Sequence, residues 1–234
     1  MRAVFAGAVI ADTTAVRLVW EKPYYPTYYI PEADVDTEAL VATGDVEPSP
    51  AEGDARVMTV KVGGREAPSA ARWYAASPVD ELRGTIRLQW SAMDAWFEED
   101  EEVYVHPRDP YKRVDVLQSS RHVRIEVDGT TLADTRQPRM LFETGLPPRS
   151  YIPKTDVRMG LLTSTTSTTQ CPYKGTAHYY AVHAGDTAHD DLAWWYQHPT
   201  PEAAMIAGYV CFYDERVDTY IDGTLQPRPR TPCS

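Results

Sequence analysis

The sequence predicts a mainly β protein made of two tandem copies of one small antiparallel domain, with one short helix per copy. Three observations carry that reading. The chain matches itself at a single offset, its polar and apolar residues alternate over short runs, and Asp-Gly or Gly-Asp pairs stand where those runs end.

At an offset of 122 positions, 23 of the 73 residues from Arg2 to Tyr74 find an identical partner without a gap. Ala11-Asp12-Thr13 falls on Ala133-Asp134-Thr135, Tyr29-Ile30-Pro31 on Tyr151-Ile152-Pro153, and Trp73-Tyr74 on Trp195-Tyr196. Beyond Tyr74 the register slips by two, so that Met93-Asp94 matches Val217-Asp218. The N-terminal apolar run, which by itself resembles a short leader, therefore corresponds to an internal segment, Ile125 to Ala133, and is read as structure.

Within the second copy, His122 to Val127 alternates and meets Asp128-Gly129, the strongest short hairpin signal. Thr131 to Asp134 returns, and Arg139 to Glu143 gives a third strand. Thr176 to Val182 alternates up to a turn at Gly185-Asp186, and Leu192 to Tyr196 follows. Thr200-Pro201-Glu202 reads as a helix start, with Ala203 to Phe212 as the helix. Val217 to Ile221 closes the copy. The first copy repeats the plan, with Ser77-Pro78 opening its helix. The organisation is thus 1–97 for the first repeat, 98–120 for a connector, 121–223 for the second repeat and 224–234 for a flexible, proline-bearing tail. The acidic run Glu98 to Glu102 reads as a solvated face. Val103 to Pro107 carries large residues, so the connector is expected to pack and the copies to associate as an intramolecular pseudo-dimer.

Bulk composition narrows the function classes. The net charge is −11 with no basic stripe, which argues against nucleic acid as a partner. No apolar run approaches a membrane span. The cysteines, Cys171, Cys211 and Cys233, are odd in number and lack a CxxC pair, which fits a reducing cytoplasm and no cofactor or metal.

The repeat supplies an internal control: residues the fold needs should persist in both copies, whereas residues that chemistry needs must persist in only one. Cys171-Pro172-Tyr173-Lys174-Gly175 falls on Ser49-Pro50-Ala51-Glu52-Gly53, so Pro and Gly persist while the reactive side chains do not. His178, Tyr180, Trp194 and Arg149 likewise replace Arg56, Met58, Arg72 and Thr27. The candidate catalytic residues are therefore Lys174, Tyr173, Cys171 and Glu143. The candidate ligand-binding residues are Arg149, Tyr151, His178, Tyr180, Trp194, Trp195 and Tyr196. Singly, each has an ordinary structural explanation: an inert thiol, a surface lysine, a satisfied core ring, a scaffold carboxylate shared with Glu21. Together they describe an aromatic-lined pocket holding a small organic ligand, in which Lys174 beside Cys171 would favour a thiolate and a partly buried lysine would serve as acid or base. A non-catalytic ligand sensor and a purely structural module are the competing readings.

At Tyr151-Ile152-Pro153-x-x-Asp156-Val157, Cys171 to Ala177, Trp194-Trp195-Tyr196 and Pro201-Glu202-Ala203-Ala204, the chain resembles the family catalogued as domain of unknown function 427. The resemblance covers the whole second copy; the first looks like the degenerate half of the family's two-copy form. The resemblance implies a small β domain of the β-tent kind and leaves the activity open. The family also carries a nucleotidyltransferase-like label, but no Gly-Ser loop followed by paired aspartates is present here. β-tent domains often bind zinc through two CxxC pairs, and this chain has neither. Purified protein is accordingly expected to hold no stoichiometric zinc, which elemental analysis checks.

Overall fold

A computed structural model describes residues 1–231 as two compact, mainly antiparallel β units, Met1–Asp109 and the described residues from Pro110 onward. The first unit contains β1 (Arg2–Phe5), β2 (Ala8–Asp12), β3 (Arg17–Lys22), β4 (Tyr25–Pro31), β5 (Leu40–Glu47), β6 (Ala55–Val62), β7 (Arg65–Tyr74), β8 (Thr85–Leu88), β9 (Ala95–Glu98) and β10 (Glu101–Glu102). The second contains β11 (Val114–Gln118), β12 (Val123–Val127), β13 (Thr130–Thr135), β14 (Arg139–Glu143), β15 (Arg149–Tyr151), β16 (Leu162–Cys171), β17 (Gly175–Ala184), β18 (Thr187–Tyr196), β19 (Val210–Phe212), β20 (Asp218–Ile221) and β21 (Thr224–Leu225).

Each unit has the same strand order. One sheet runs β10-β9-β1-β2 in the first unit and β21-β20-β12-β13 in the second. The other runs β3-β4-β8-β7-β6-β5 in the first unit. In the second, β14-β15 and β19-β18-β17-β16 repeat that order, joined at an isolated bridge, Ile152 to Val210, which matches Ile30 to Ile86. Even the irregularities recur at the same offset. Register shifts at Ala3/Val4, Ala42/Val46 and Met58/Val60 reappear at Ile125/Glu126, Ser164/Thr168 and Tyr180/Val182. The Thr13 hydroxyl donates to Asp34 at 2.6 Å, and Thr135 to Asp156 at 2.6 Å. Such bulges bend a strand at a chosen point and survive because the packing around them depends on the bend.

The elements follow from local chemistry. Asp128 and Gly129 both adopt positive φ (49° and 73°), as a two-residue hairpin turn with the twist of its strands requires. Alternation in β12 buries Val123, Ile125 and Val127, with a polar residue at each intervening position. About half of the identities shared between copies are buried, among them Tyr29 and Tyr151, Ile30 and Ile152, and Val60 and Val182.

Three expectations change, those for the helices, the connector and the tail, while the acidic run is exposed from Glu99 to Glu102 as a solvated face requires. The helix predicted over Ala203 to Phe212 is a 3-10 run at Pro201–Ile206, after which Val210–Phe212 is strand. After Ser77-Pro78 the first copy forms a single 3-10 turn, Asp80–Leu82. Gly208, with φ of 74°, turns the chain before a helix can lengthen, and Val210, Cys211 and Phe212 are all buried in sheet. The acidic run folds back as the hairpin β9-β10. The connector divides, since Val114–Gln118 pairs with β14 as an edge strand of the second unit. The tail is bonded back as far as it is described: β21 pairs with β20, and the Thr231 hydroxyl donates to Glu215. Cys233 lies outside the described residues.

The loop glycine kept in both copies has the same conformation in each, φ 91° at Gly53 and at Gly175. A Cβ at Gly175 would meet the His198 carbonyl at 3.1 Å, whereas at Gly185 it would meet nothing within 4 Å. Gly175→Ala should therefore destabilise the protein by at least about 2 kcal/mol and Gly185→Ala by about 1 kcal/mol, the cost of left-handed backbone alone, as measured by chemical denaturation.

Candidate functional site

The turn from β16 to β17 brings the Cys171–Gly175 loop over the end of β14. Cys171 and Gly175 pair across the ladder, and the Lys174 amide donates to the Cys171 carbonyl at 3.3 Å. The Thr200 hydroxyl donates to the Tyr173 carbonyl at 2.6 Å and ties the loop to the following connection. Ser77 does the same for the Glu52 carbonyl in the first copy, also at 2.6 Å. The loop is thus a fixed scaffold in both units.

Its side chains differ. Lys174 turns inward, its side chain 13% exposed, and its ammonium donates to Glu143, itself 7% exposed. Burial opposes the lysine charge. The interactions of the ammonium with Cys171 and Glu143, hydrogen bonds included, outweigh it and raise the Lys174 pKa. Lys174 is therefore an ammonium at neutral pH, suited to stabilising an anion or delivering a proton, and not a resting base or a Schiff-base amine. The Tyr196 hydroxyl lies in the same field. Burial first, then Cys171, Tyr179, Cys211 and Glu143, raise its pKa and keep it neutral.

The same core layer extends to a second ionic group. Arg149 grips Glu215 with two nitrogens, at 2.8 and 2.6 Å, and reaches Asp214 at 3.2 Å. Its guanidinium carbon stands 5.7 Å from the centre of the Trp194 ring. Trp194 donates its indole N–H to the Tyr151 hydroxyl at 3.1 Å, and Cys211 packs in the same cluster, fully buried. Burial acts against the Glu215 charge, but hydrogen bonds from Arg149 and Thr231 outweigh it and hold the pKa down at about 2. Burial pushes Asp214 up.

Not every predicted site residue joins this layer. Strand alternation turns His178, Tyr180 and Trp195 to the opposite face of the sheet, where Trp195 stacks near Tyr180 and the Lys154 ammonium lies 3.4 Å from the Trp195 ring centre. The structure brings Cys171, Lys174 and Glu143 together, with Tyr196 beside them and Arg149, Tyr151 and Trp194 farther along the layer. Tyr173 is half-buried in the loop. Cys211, Asp214 and Glu215 went unread in the sequence. The signal lay in the slipped register, where they fall on Arg87, Trp90 and Ser91.

That register also explains the first copy. Glu21, the counterpart of Glu143, pairs with Arg87 at 2.8 Å and accepts from the Tyr29 hydroxyl at 3.0 Å. The cation comes from strand β8, at the position that Cys211 occupies in the second copy. Glu52, in the place of Lys174, turns back to Ser49.

Four cavities are described, of about 190 and 590 Å³ in the first unit and 210 and 520 Å³ in the second. None is lined by a residue from Cys171 to Gly175, whereas Ala51 and Glu52 do line the 590 Å³ groove. Lys174 points at Glu143 instead of into one of these spaces. Among the described residues no group of three or more His, Cys, Asp or Glu is placed to hold a metal ion, and no helix is long and apolar enough to cross a membrane. The model of the family described as Domain of unknown function (DUF427) matches the chain twice, at residues 1–99 and 115–223. No curated protein matches it.

Removing one partner from a buried ion pair leaves an uncompensated charge, a loss of about 3–5 kcal/mol. Arg149→Met should cost that much at pH 7, read by denaturation. The depressed Glu215 pKa means that the stabilisation is complete above the unfolded value of about 4.3 and fades as pH falls toward 2. The gap between variant and parent should narrow across that window.

Proposed function

The chain belongs to that family, in its two-copy form, and on that footing we propose that its second copy is a small-molecule enzyme acting at the Cys171–Gly175 loop. One observation carries the reading: an almost buried ammonium, Lys174, is held charged between a carboxylate and a thiol, and the matching loop of the first copy has neither the amine nor the thiol. In this reading Lys174 donates a hydrogen bond or a proton to an oxygen on which negative charge develops. Cys171 is the adjacent nucleophile or second donor, and Glu143 is a positioning residue that keeps Lys174 charged and aimed. The substrate is a small organic metabolite that enters by displacing Lys174 from one of its present partners. Arg149, Trp194 and Tyr196 stiffen the layer beneath, and Tyr173 meets the ligand at the loop. The working compartment is a reducing cytoplasm, where Cys171 remains a free thiol, and no metal takes part.

One observation favours the second reading, a non-catalytic or structural module: the described cavities lie elsewhere, and Lys174 and Glu143 already satisfy one another.

Two measurements separate these. Lys174→Ala should lower turnover of any substrate found by metabolite-depletion screening about 10²–10⁴-fold, while Glu52→Ala leaves it unchanged. Before a substrate is known, alkylation of Cys171 by iodoacetamide, with Cys233 changed to Ser, should slow in Lys174→Met because the neighbouring ammonium assists the thiolate. Equal alkylation rates, or equal effects of the Lys174 and Glu52 changes on turnover, would overturn the proposal.

A further inference from the structure

The first copy lacks the Lys174 chemistry but contains the more aromatic cavity. About 190 Å³ of space lies between β4, the turn after β8 and the segment after β10. Its walls include two stacked ring pairs. Trp90 and Trp96 lie 4.6 Å apart and 6° from parallel, and Tyr25 and His106 lie 4.4 Å apart at 13°. Tyr28, tilted against both tryptophans, completes the lining, and its hydroxyl is already engaged by Glu98 at 2.5 Å. The lining combines these rings with a polar side that includes Glu21, Lys22, Arg87 and Gln89. A cavity of about 150 Å³ accepts one benzene ring, so this one suits a single ring with a short substituent.

The charges at the rim choose the substituent. Glu21 and Arg87 neutralise each other at 2.8 Å. Lys22 also lines the cavity, is exposed, and has no ion pair among the described residues. The balance favours one negative charge on the guest.

Two independent features mark the place as built. Val105, in the wall, holds φ at 71°, a left-handed conformation that a β-branched residue adopts only under constraint from its surroundings, and it carries a tight turn from the His106 amide to the Tyr104 carbonyl at 2.8 Å. The second copy keeps a hollow at the same point of its fold. Pro147, Pro148, Ser150 and Asp214, the counterparts of Tyr25, Pro26, Tyr28 and Trp90, line about 210 Å³ there. The fold thus preserves the hollow in both copies, and only the first has furnished it with aromatic rings.

We propose that this cavity of the first copy binds a planar aromatic carboxylate of one ring, stacked on Trp90 with its carboxylate toward Lys22. The site is independent of the Lys174 reading.

The test titrates the full-length protein with benzoate, benzyl alcohol and cyclohexanecarboxylate, following tryptophan fluorescence and calorimetry. Benzoate should bind saturably with a Kd of about 1 mM or tighter, and the neutral alcohol and the non-aromatic acid about tenfold more weakly or worse. Trp90→Leu should abolish benzoate binding and Trp90→Phe should retain part of it. The exposed change Lys22→Gln, which leaves the fold intact, should erase the preference for benzoate over benzyl alcohol. Lys174→Met should bind as the parent does, so failure of the Lys174 reading and failure of this one are distinguishable. Absence of saturable benzoate binding, equal affinity for all three probes, or binding unaltered by both Trp90→Leu and Lys22→Gln would overturn the proposal.

Discussion

A carboxylate under a β-sheet is the constraint around which both halves of this protein are arranged. Glu21 and Glu143 stand at matching points of the duplicated fold, each near the end of the third strand of its copy, Glu143 largely withdrawn from water and Glu21 on a more exposed edge with part of its side chain covered. A charge in that position is tolerable only with a cation and hydrogen bonds supplied from close range. The first copy satisfies this from within the sheet, with Arg87 on β8, across β4, and the Tyr29 hydroxyl. The second has Cys211 where that arginine stands, so a lysine reaches in from the loop. Replacing a strand-borne cation with a loop-borne one is what places an amine beside a thiol.

Much of the scaffold was legible because duplication writes the same physical requirement twice. Buried residues such as Ile30 and Ile152 persist at one offset since each fills a comparable space, and the Asp128-Gly129 turn needs two positive φ values that few residue pairs adopt. The juxtaposition of Cys171, Lys174 and Glu143 was half legible: the loop contrast picked out Cys171 and Lys174, but their contact with Glu143 joins elements 31 residues apart from Lys174 in the chain. The helix over Ala203 to Phe212 was misread because Thr200-Pro201 is a sound helix start whatever follows, and Val210 to Phe212 was claimed by the sheet. The contrast between copies selects His178 and Tyr180, and proximity to Trp194 and Tyr196 selects Trp195, but neither criterion reports the face of the sheet, and a strand sends adjacent side chains to opposite faces. Cys211, Asp214 and Glu215 were hidden by the two-residue slip in register.

The copies also divide labour in their hollows. The same point in each fold is open, yet rings and a free lysine furnish one, and prolines with Asp214 the other. An internal duplication allows this, since one half can keep the packing requirements while the other changes the chemistry of a wall.

The short strand β11 has a consequence for where the molecule can be divided. It precedes the repeated segment, has no counterpart in the first unit, and covers the outer edge of β14 along five residue pairs. In the first unit the equivalent strand, β3, ends its sheet uncovered by another described strand. Both strands carry an arginine, a glutamate and an apolar middle, Leu18–Trp20 in β3 and Met140–Phe142 in β14, but β3 adds Lys22, a charge of the kind that discourages intermolecular strand addition, where the chain after β14 has Thr144. A fragment begun at the start of the sequence repeat, at residue 121, would bare that edge as a template for self-association, whereas one begun at 110 would keep it sealed. The duplicated stretch and the self-sufficient domain therefore differ by one strand.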